Sequence, residues 1–363
     1  MYQLDKISSQ FPYSTQNTYL NTPAYGLLSE SLLEWRQEHD LDHLVGGSRF
    51  KERFFEVIAS LRSSVATFTS SATDEVFLVP NFSFGWKVLI GGLPKDKHVL
   101  LLNGDYPSLN WPVITANFEK LEKIDVSFSM EDEIEEYFSR HAPDIFAFSI
   151  VQYLNGVKIN LDLIKRLKAR YPNTLFMADA TQYLGTETFQ FFDSGIDVLG
   201  VSGYKWLLAG TGNGFFLVKK EVQSVFYSST VKWEPRMEPW LKHNTHLQNH
   251  LEPGHLDSMS MGSLHHAIGL LEQTGMPLIE EKIKKVCDYA REHLLGLGFL
   301  EEELCGRSAH GTFYAIKVTD KQLSVLSERR VDFAIRGGRL RIGFHFYNSL
   351  KDVDAVVNVL KHT

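Results

Sequence analysis

The feature that most constrains this chain is an alternation. Six short runs, EVFLV (75–79), HVLLL (98–102), KIDVSF (123–128), DIFAFSI (144–150), TLFMA (174–178) and IDVLGV (196–201), are apolar, β-branched or aromatic. Segments with helical periodicity, such as MEDEIEEYFSRH and LDLIKRLKAR, lie between them. Runs that are apolar on both faces suit parallel strands covered by helices on either side. The alternation therefore predicts right-handed βαβ units in one open, mostly parallel sheet. In LLAGTGNGFFLVKK the chain turns too sharply for a helical crossover, so a seventh strand over 214–218 is expected to run antiparallel.

A length of 363 residues exceeds what one hydrophobic core usually holds, which predicts two domains. After a long amphipathic helix at about 277–296 come TFYAIKV, VDFAIR, RLRIGFH and the closing helix LKDVDAVVNVLK. That pattern is a small α+β unit, with its boundary expected near Gly275. The net charge of -7, without a Lys/Arg block, argues against a nucleic-acid surface. Two cysteines, Cys287 and Cys305, are too few for a disulfide framework or a cysteine metal site. The N-terminus MYQLDKISSQF has no apolar signal core, and no run of 18 apolar residues occurs. A soluble cytoplasmic protein without a membrane partner is the expectation.

In open α/β sheets, ligands sit beyond the carboxyl ends of the parallel strands. TLFMA delivers Asp179 and then Gln182, while IDVLGV delivers Ser202, Tyr204 and Lys205. A carboxylate and an amine at neighbouring strand ends serve either as a structural ion pair or as two contacts to one cofactor. Pyridoxal 5'-phosphate (PLP) needs this pair: a lysine for its aldehyde carbon and a carboxylate for its ring nitrogen. After EVFLV, Pro80 and Asn81 leave the strand and a helix opens near Phe82 or Ser83. Asn81 is a candidate N-cap, and the free N–H groups of that first turn form a phosphate-sized anion site. Tyr106, beyond HVLLLNGD, is an aromatic at a further strand end, suited to stacking on a flat ring or to a half-buried surface position.

On these residues the chain resembles the PLP-dependent fold-type I enzymes of the class V aminotransferase group, which includes cysteine desulfurases, selenocysteine lyases, kynureninases and isopenicillin N epimerase-like proteins. The likeness rests on MADATQYLG…DVLGVSGYKWLLAGTGNGFFLV and extends from YLNTPAYG (19–26) to LRIGFHFYN (340–348). The resemblance implies a large PLP-binding domain over 16–274 and a small C-terminal domain over 275–363 joined by 1–15. It implies Lys205 as the Schiff-base lysine, Asp179 as partner of the ring nitrogen and Gln182 near the phenolic oxygen. Asn81, Phe82 and Ser83 match its phosphate-binding helix start; Ser202 and Tyr204 match further phosphate contacts. Tyr106 matches the stacking aromatic and Tyr153 a contact beside the ring. Arg341 matches the arginine that holds the substrate α-carboxylate, with Arg336 assisting, a role suited to a planar fork of donors. A homodimer acting on an amino acid and a 2-oxo acid is implied. An aminotransferase is the leading expectation. A β-lyase of the selenocysteine lyase or kynureninase kind, an epimerase, and a PLP-binding protein without turnover are the alternatives.

The chain also departs from the group. In EPGHLDS (252–258), His255 stands where many members supply a threonine to the partner's phosphate, with Ser258 nearby. RGGRLRIG runs straight through the place where desulfurases carry a catalytic cysteine on a loop, which argues against that route. GTGNG (210–214) lacks dinucleotide spacing and precedes a strand, so it reads as a turn near the cofactor. His265 and His266 are adjacent and LKHNTH (241–246) lacks acidic companions, so no metal is expected. EDEIEE (131–136) reads as a solvated helix start. Tyr25, Trp111 and Phe344 are candidates for a substrate pocket or for plain core.

Overall fold

The computed structural model describes residues 2–232, 244–301, 303, 307 and 309–363. Cys305 and the first three residues of LKHNTH lie outside the described residues. The strands, in chain order, are β1 (Thr18–Tyr19), β2 (Val76–Val79), β3 (His98–Asn103), β4 (Lys120–Asp125), β5 (Ile145–Ser149), β6 (Leu175–Asp179), β7 (Val198–Ser202), β8 (Gly214–Val218), β9 (Phe313–Ile316), β10 (Val331–Asp332), β11 (Ala334–Arg336) and β12 (Arg339–Gly343).

Seven of them form the main sheet in the order β2-β8-β7-β6-β5-β3-β4. Strand β8 runs antiparallel to both β2 and β7; the other pairings are parallel. The expected mostly parallel α/β sheet, with an antiparallel seventh strand, is the one observed. Successive side chains of one strand face opposite ways. Leu100, Phe146, Phe176 and Leu217 accordingly pack into one apolar core, while Val99, Leu101, Ala147, Met177 and Phe216 pack into a second on the other face. The first core continues into the C-terminal part through Phe313, Ile316, Leu340 and Ile342.

One strand departs from its sequence reading. The run KIDVSF points to 123–128, whereas β4 spans Lys120–Asp125. It pairs in register with β3, from His98 opposite Lys120 to Asn103 opposite Asp125. As the outer strand it is charged and mostly exposed, so apolar content does not mark its ends.

Beyond Gly275, which ends the helix Ser258–Thr274, the helix Met276–Gly296 leads to a three-stranded antiparallel sheet ordered β11-β12-β9. The N-terminal segment reaches across to this part. β1 pairs with β10, and Phe11 packs its ring 5.7 Å from that of Phe346 and 5.3 Å from that of Tyr347.

Two glycines decide where one helix begins. The ring of Phe216 stacks on that of Phe82 at 5.4 Å. A Cβ on Gly200 would lie 2.3 Å from Phe216, and one on Gly85 2.4 Å from the same ring. Their missing side chains let the helix Phe82–Gly92 start directly over β7 and β8.

The loop after β12 is fastened to the centre of the molecule by His345. Its Nε2–H donates to the Trp206 carbonyl at 2.9 Å, and its Nδ1 accepts the Phe346 N–H at 2.8 Å. The ring is therefore neutral, and a second proton would face an N–H group. Burial pushes its pKa down to about 4. A folded-state value below the ordinary 6.5 gives stability that is complete above pH 6.5 and lost as pH falls toward 4. We expect denaturant unfolding to show a loss on the order of 3 kcal/mol from this residue between pH 7 and pH 4. His345→Gln should be less stable at pH 7 but show a flatter profile over that window. An equally steep profile in the variant would rule out this origin.

Candidate active site

The carboxyl ends of the parallel strands meet at one cavity of about 330 Å³. Strand β2 exits to Asn81, Phe82 and Ser83, and β3 to Tyr106; β5 ends at Ser149 and runs on to Val151 and Tyr153. Strand β6 ends at Asp179, followed by Thr181 and Gln182. Strand β7 ends at Ser202, followed by Tyr204 and Lys205, and the turn before β8 adds Thr211 and Gly212. Every residue read from the sequence as cofactor-binding lines this cavity.

Lys205 is buried at 6% exposure, its Nζ 5.6 Å from the ring centroids of both Tyr106 and Tyr204. Desolvation lowers its pKa, and the guanidinium groups of Arg341 and Arg336 lower it further against the pull of Asp179. The amine is thus biased toward its neutral, nucleophilic form. Asp179 moves the other way: burial raises its pKa, Asp105 pushes it higher, and the Thr181 N–H, 2.8 Å from Oδ1, pulls it back.

The helix start offers donors to an anion. The Asn81 side chain caps it by accepting the Phe84 N–H at 2.9 Å, and the Phe82 N–H goes to Ser202 Oγ at 2.9 Å. The Ser83 N–H has neither partner, and the Ser202 hydroxyl, accepting from Phe82, keeps its own hydrogen to donate. Tyr106 and Tyr153 meet edge-on, with ring centroids 5.1 Å apart.

Other candidates fall differently. Gln182 lines the cavity, but its amide also bridges a backbone carbonyl and an indole: Nε2 donates to the Pro23 carbonyl at 2.9 Å and Oε1 accepts Trp206 Nε1–H at 2.8 Å. Arg341 is buried one contact away, its Nη1 donating to the Tyr153 carbonyl at 2.7 Å while its Nε has no partner. Arg336 is exposed beside the turn of the β11–β12 hairpin, paired in register with Arg339. Gly337 and Gly338, at φ 56 and 70, make that turn a two-residue one. His255 lies against Phe54 at 5.5 Å, and Ser258 Oγ meets His39 Nε2 at 2.9 Å. Tyr25 sits 5.9 Å from Tyr204, Trp111 is exposed, and Phe344 is core. Sequence reasoning missed Asp105, Ser149 and Thr181, whereas Thr211 and Gly212 belong to the turn expected near the cofactor and line the cavity. Asp105 had a signal, an acid leaving a buried strand beside the aromatic already singled out.

This arrangement defines a fold-type I enzyme: a seven-stranded α/β sheet with a buried lysine, a buried carboxylate and a helix-start anion site around one cavity. The chain belongs to the class-V aminotransferase family, whose model matches residues 45–356. It is 22% identical over 351 residues to the uncharacterized aminotransferase YcbU of Bacillus subtilis (strain 168), covering 94% of this chain and 93% of that one. Its fold is shared with the apo cysteine desulfurase of Thermococcus onnurineus NA1 (TM-score 0.82, 17% identity, 98% and 97% of the two chains). It is also shared with the cystine C–S lyase C-DES in complex with its product cysteine persulfide (TM-score 0.83, 15% identity, 97% and 99%). A variant of C-DES carries glycine covalently linked to its PLP cofactor. The cofactor of this family is PLP. The residues present fit it: an amine biased toward neutrality, a carboxylate in the same cavity, and unspent N–H and hydroxyl donors at the helix start.

If Ser202 donates to the cofactor phosphate, Ser202→Ala should weaken PLP binding to the apoprotein about ten- to a hundredfold, the cost of one hydrogen bond to a charged group. Absorbance titration checks this. An unchanged Kd would remove Ser202 from the phosphate site.

Proposed function

We propose that the protein is a cytoplasmic, homodimeric PLP-dependent aminotransferase that moves an amino group between an amino acid and a 2-oxo acid. The observation that carries this reading is the burial of Lys205 and Asp179 in one cavity, the amine pushed toward neutrality and the carboxylate at the end of the adjoining strand. YcbU, related along nearly its whole length, bears the name of an aminotransferase.

When bound, the cofactor supplies an aldehyde for the substrate's amino group and a ring that withdraws electrons from the α-carbon. The chain's residues do the rest. Lys205 Nζ would take the proton from the substrate α-carbon as a neutral amine and hand it on. Asp179 would keep a proton on the ring nitrogen. Ser202, Ser83 and the helix start would bind the phosphate, and Tyr106 would pack against the ring. Arg341, held by the Tyr153 carbonyl, binds the substrate α-carboxylate with Arg336 beside it. The tyrosines around Lys205 exclude water.

The two-glycine turn between Arg336 and Arg339 leaves no loop for a reactive cysteine. Cys287, the free cysteine among the described residues, is buried in the helix Met276–Gly296. Sulfur transfer through a cysteine at this site is thereby disfavoured.

A panel of amino acids added to the yellow holoprotein should convert its absorption to that of the amine form, and a 2-oxo acid should restore it. Lys205→Ala should lower the rate at least a thousandfold, in keeping with loss of the general base and amine, and borohydride should no longer fix the cofactor to the chain. Release of alanine or pyruvate with a sulfur or selenium species would establish a lyase instead, and a cofactor unchanged by every amino acid a binding protein.

The dimer reading draws on exposed apolar side chains: Leu44 is 81% exposed and Val45 69%, with Leu41 at 57% on the same helix and Phe55 at 55% on the next. No helix of the described residues is long and apolar enough to cross a membrane. Leu44→Glu combined with Phe55→Glu should shift the protein to monomer in sedimentation. A variant that stays dimeric would move the interface elsewhere.

A further inference from the structure

Asp105 is a buried carboxylate, 4% exposed, just beyond the end of β3. Its Oδ2 accepts the Ser149 N–H at 2.7 Å and Gln152 Nε2 at 3.3 Å, while Oδ1 accepts the Tyr106 N–H at 2.6 Å. Among the described residues no lysine or arginine forms an ion pair with it. Ser149, which it holds, is the register partner of Asp179 on the neighbouring strand. Two carboxylates therefore flank the end of β5, one from each side, and each is out of water.

Two buried like charges cannot both ionise without a counter-cation. Lys205 and Arg341 are the buried cations nearby; the first is engaged once the cofactor binds, and the second is held by the Tyr153 carbonyl. A protonated pyridine ring brings a positive charge that both carboxylates attract.

We infer that Asp105 is a positioning residue for the cofactor: acting through Ser149 and Tyr106, it places a second negative charge behind Asp179, and together the two carboxylates keep the ring nitrogen protonated. This rests on the reading of Asp179 as partner of that nitrogen. The other groups around the nitrogen are Lys205 and Tyr204 after β7, Tyr106 after β3, and Arg341 and Arg336 of the β11–β12 hairpin. Their cationic members oppose the effect, which is why one carboxylate is not enough. Burial raises the pKa of Asp105 as well as that of Asp179, as expected of a pair awaiting a cation.

The test uses holoprotein reconstituted with PLP labelled with 15N in the ring, whose nitrogen shift reports its proton. In the natural protein the nitrogen should remain protonated to high pH. Asp105→Asn should move its deprotonation about tenfold in proton concentration toward acid, the size of one opposite-charge interaction across about ten ångströms at an effective dielectric constant of about 20. Asp105→Glu should restore most of that shift even where PLP affinity stays impaired, because charge is regained while packing is not. An unchanged midpoint in Asp105→Asn, with Asp179→Asn strongly shifted, overturns the inference and leaves the Asp179 reading intact. No shift in Asp179→Asn overturns that reading itself. Should Asp105→Asn fail to fold, Asp105→Ser is read in the same way: an acid shift of the nitrogen midpoint supports the proposal, and an unchanged midpoint overturns it.

Discussion

A lysine ammonium taken out of water is the constraint around which this molecule is organised. Transfer of such a charge into a protein interior costs several kcal/mol unless partners offset it, and the group responds by giving up its proton. Lys205 is placed so that little offsets it. Asp179 attracts its charge, but Arg341 and Arg336 repel it, and its nearest aromatic neighbours are Tyr106 and Tyr204. A structural ion pair would have been built the other way, with carboxylate oxygens against the nitrogen and no arginines in range. Lys168 shows the contrast. It donates to Asp197 at 2.7 Å and to the carbonyls of Pro172 and Thr174, and it ties strands together.

The surroundings of Lys205 come from distant parts of the chain, and the fold has to hold them against one another. The turn carrying it is fixed from three sides. Gly26 N–H donates to the Tyr204 carbonyl at 2.8 Å, Gln182 holds the Trp206 indole, and His345 holds the Trp206 carbonyl. These bonds bring the N-terminal segment, the end of β6 and the loop after β12 onto one turn. Buried polar bonds of this kind add little net stability but are costly to break, because the groups left behind have no water. They fix position. The same logic explains Gln182, whose amide spans the Pro23 carbonyl and the indole at once.

Much of this was legible in the sequence, for identifiable reasons. The buried strands announced themselves because both faces are covered, and Lys205, Asp179 and Ser202 stood out as polar residues at the ends of apolar runs. The Asn81 cap followed from its position before an apolar helix. What escaped has a physical cause too. Strand β4 is an edge, so its charged residues hid its first three positions. Phe216 needs Gly200 and Gly85 to be bare, a contact between segments far apart in the chain. Gln182 and His345 act through backbone carbonyls, which no residue type announces. Asp105 was overlooked because its partners from elsewhere in the chain are the Ser149 N–H and the Gln152 side-chain amide, both brought to it by the fold.

The C-terminal part's contribution is most visible in the β11–β12 hairpin. Positive φ at both central residues is the geometry that matches the twist of the flanking strands, and a glycine pair adopts it without strain. The consequence is a short, stiff hairpin with Arg336 on its outer end and Arg341 on its inner strand. A longer loop here could lower a nucleophile into the cavity; this turn cannot, since it spends its whole length on reversing the chain. What it brings to the site is positive charge at two depths, one guanidinium buried against the Tyr153 carbonyl and one in solvent. Reaction choice is thereby left to the groups already in the cavity. Among them Lys205 is the amine whose pKa is lowered toward the working range, and in the proposed function it both receives the proton from the substrate α-carbon and returns it.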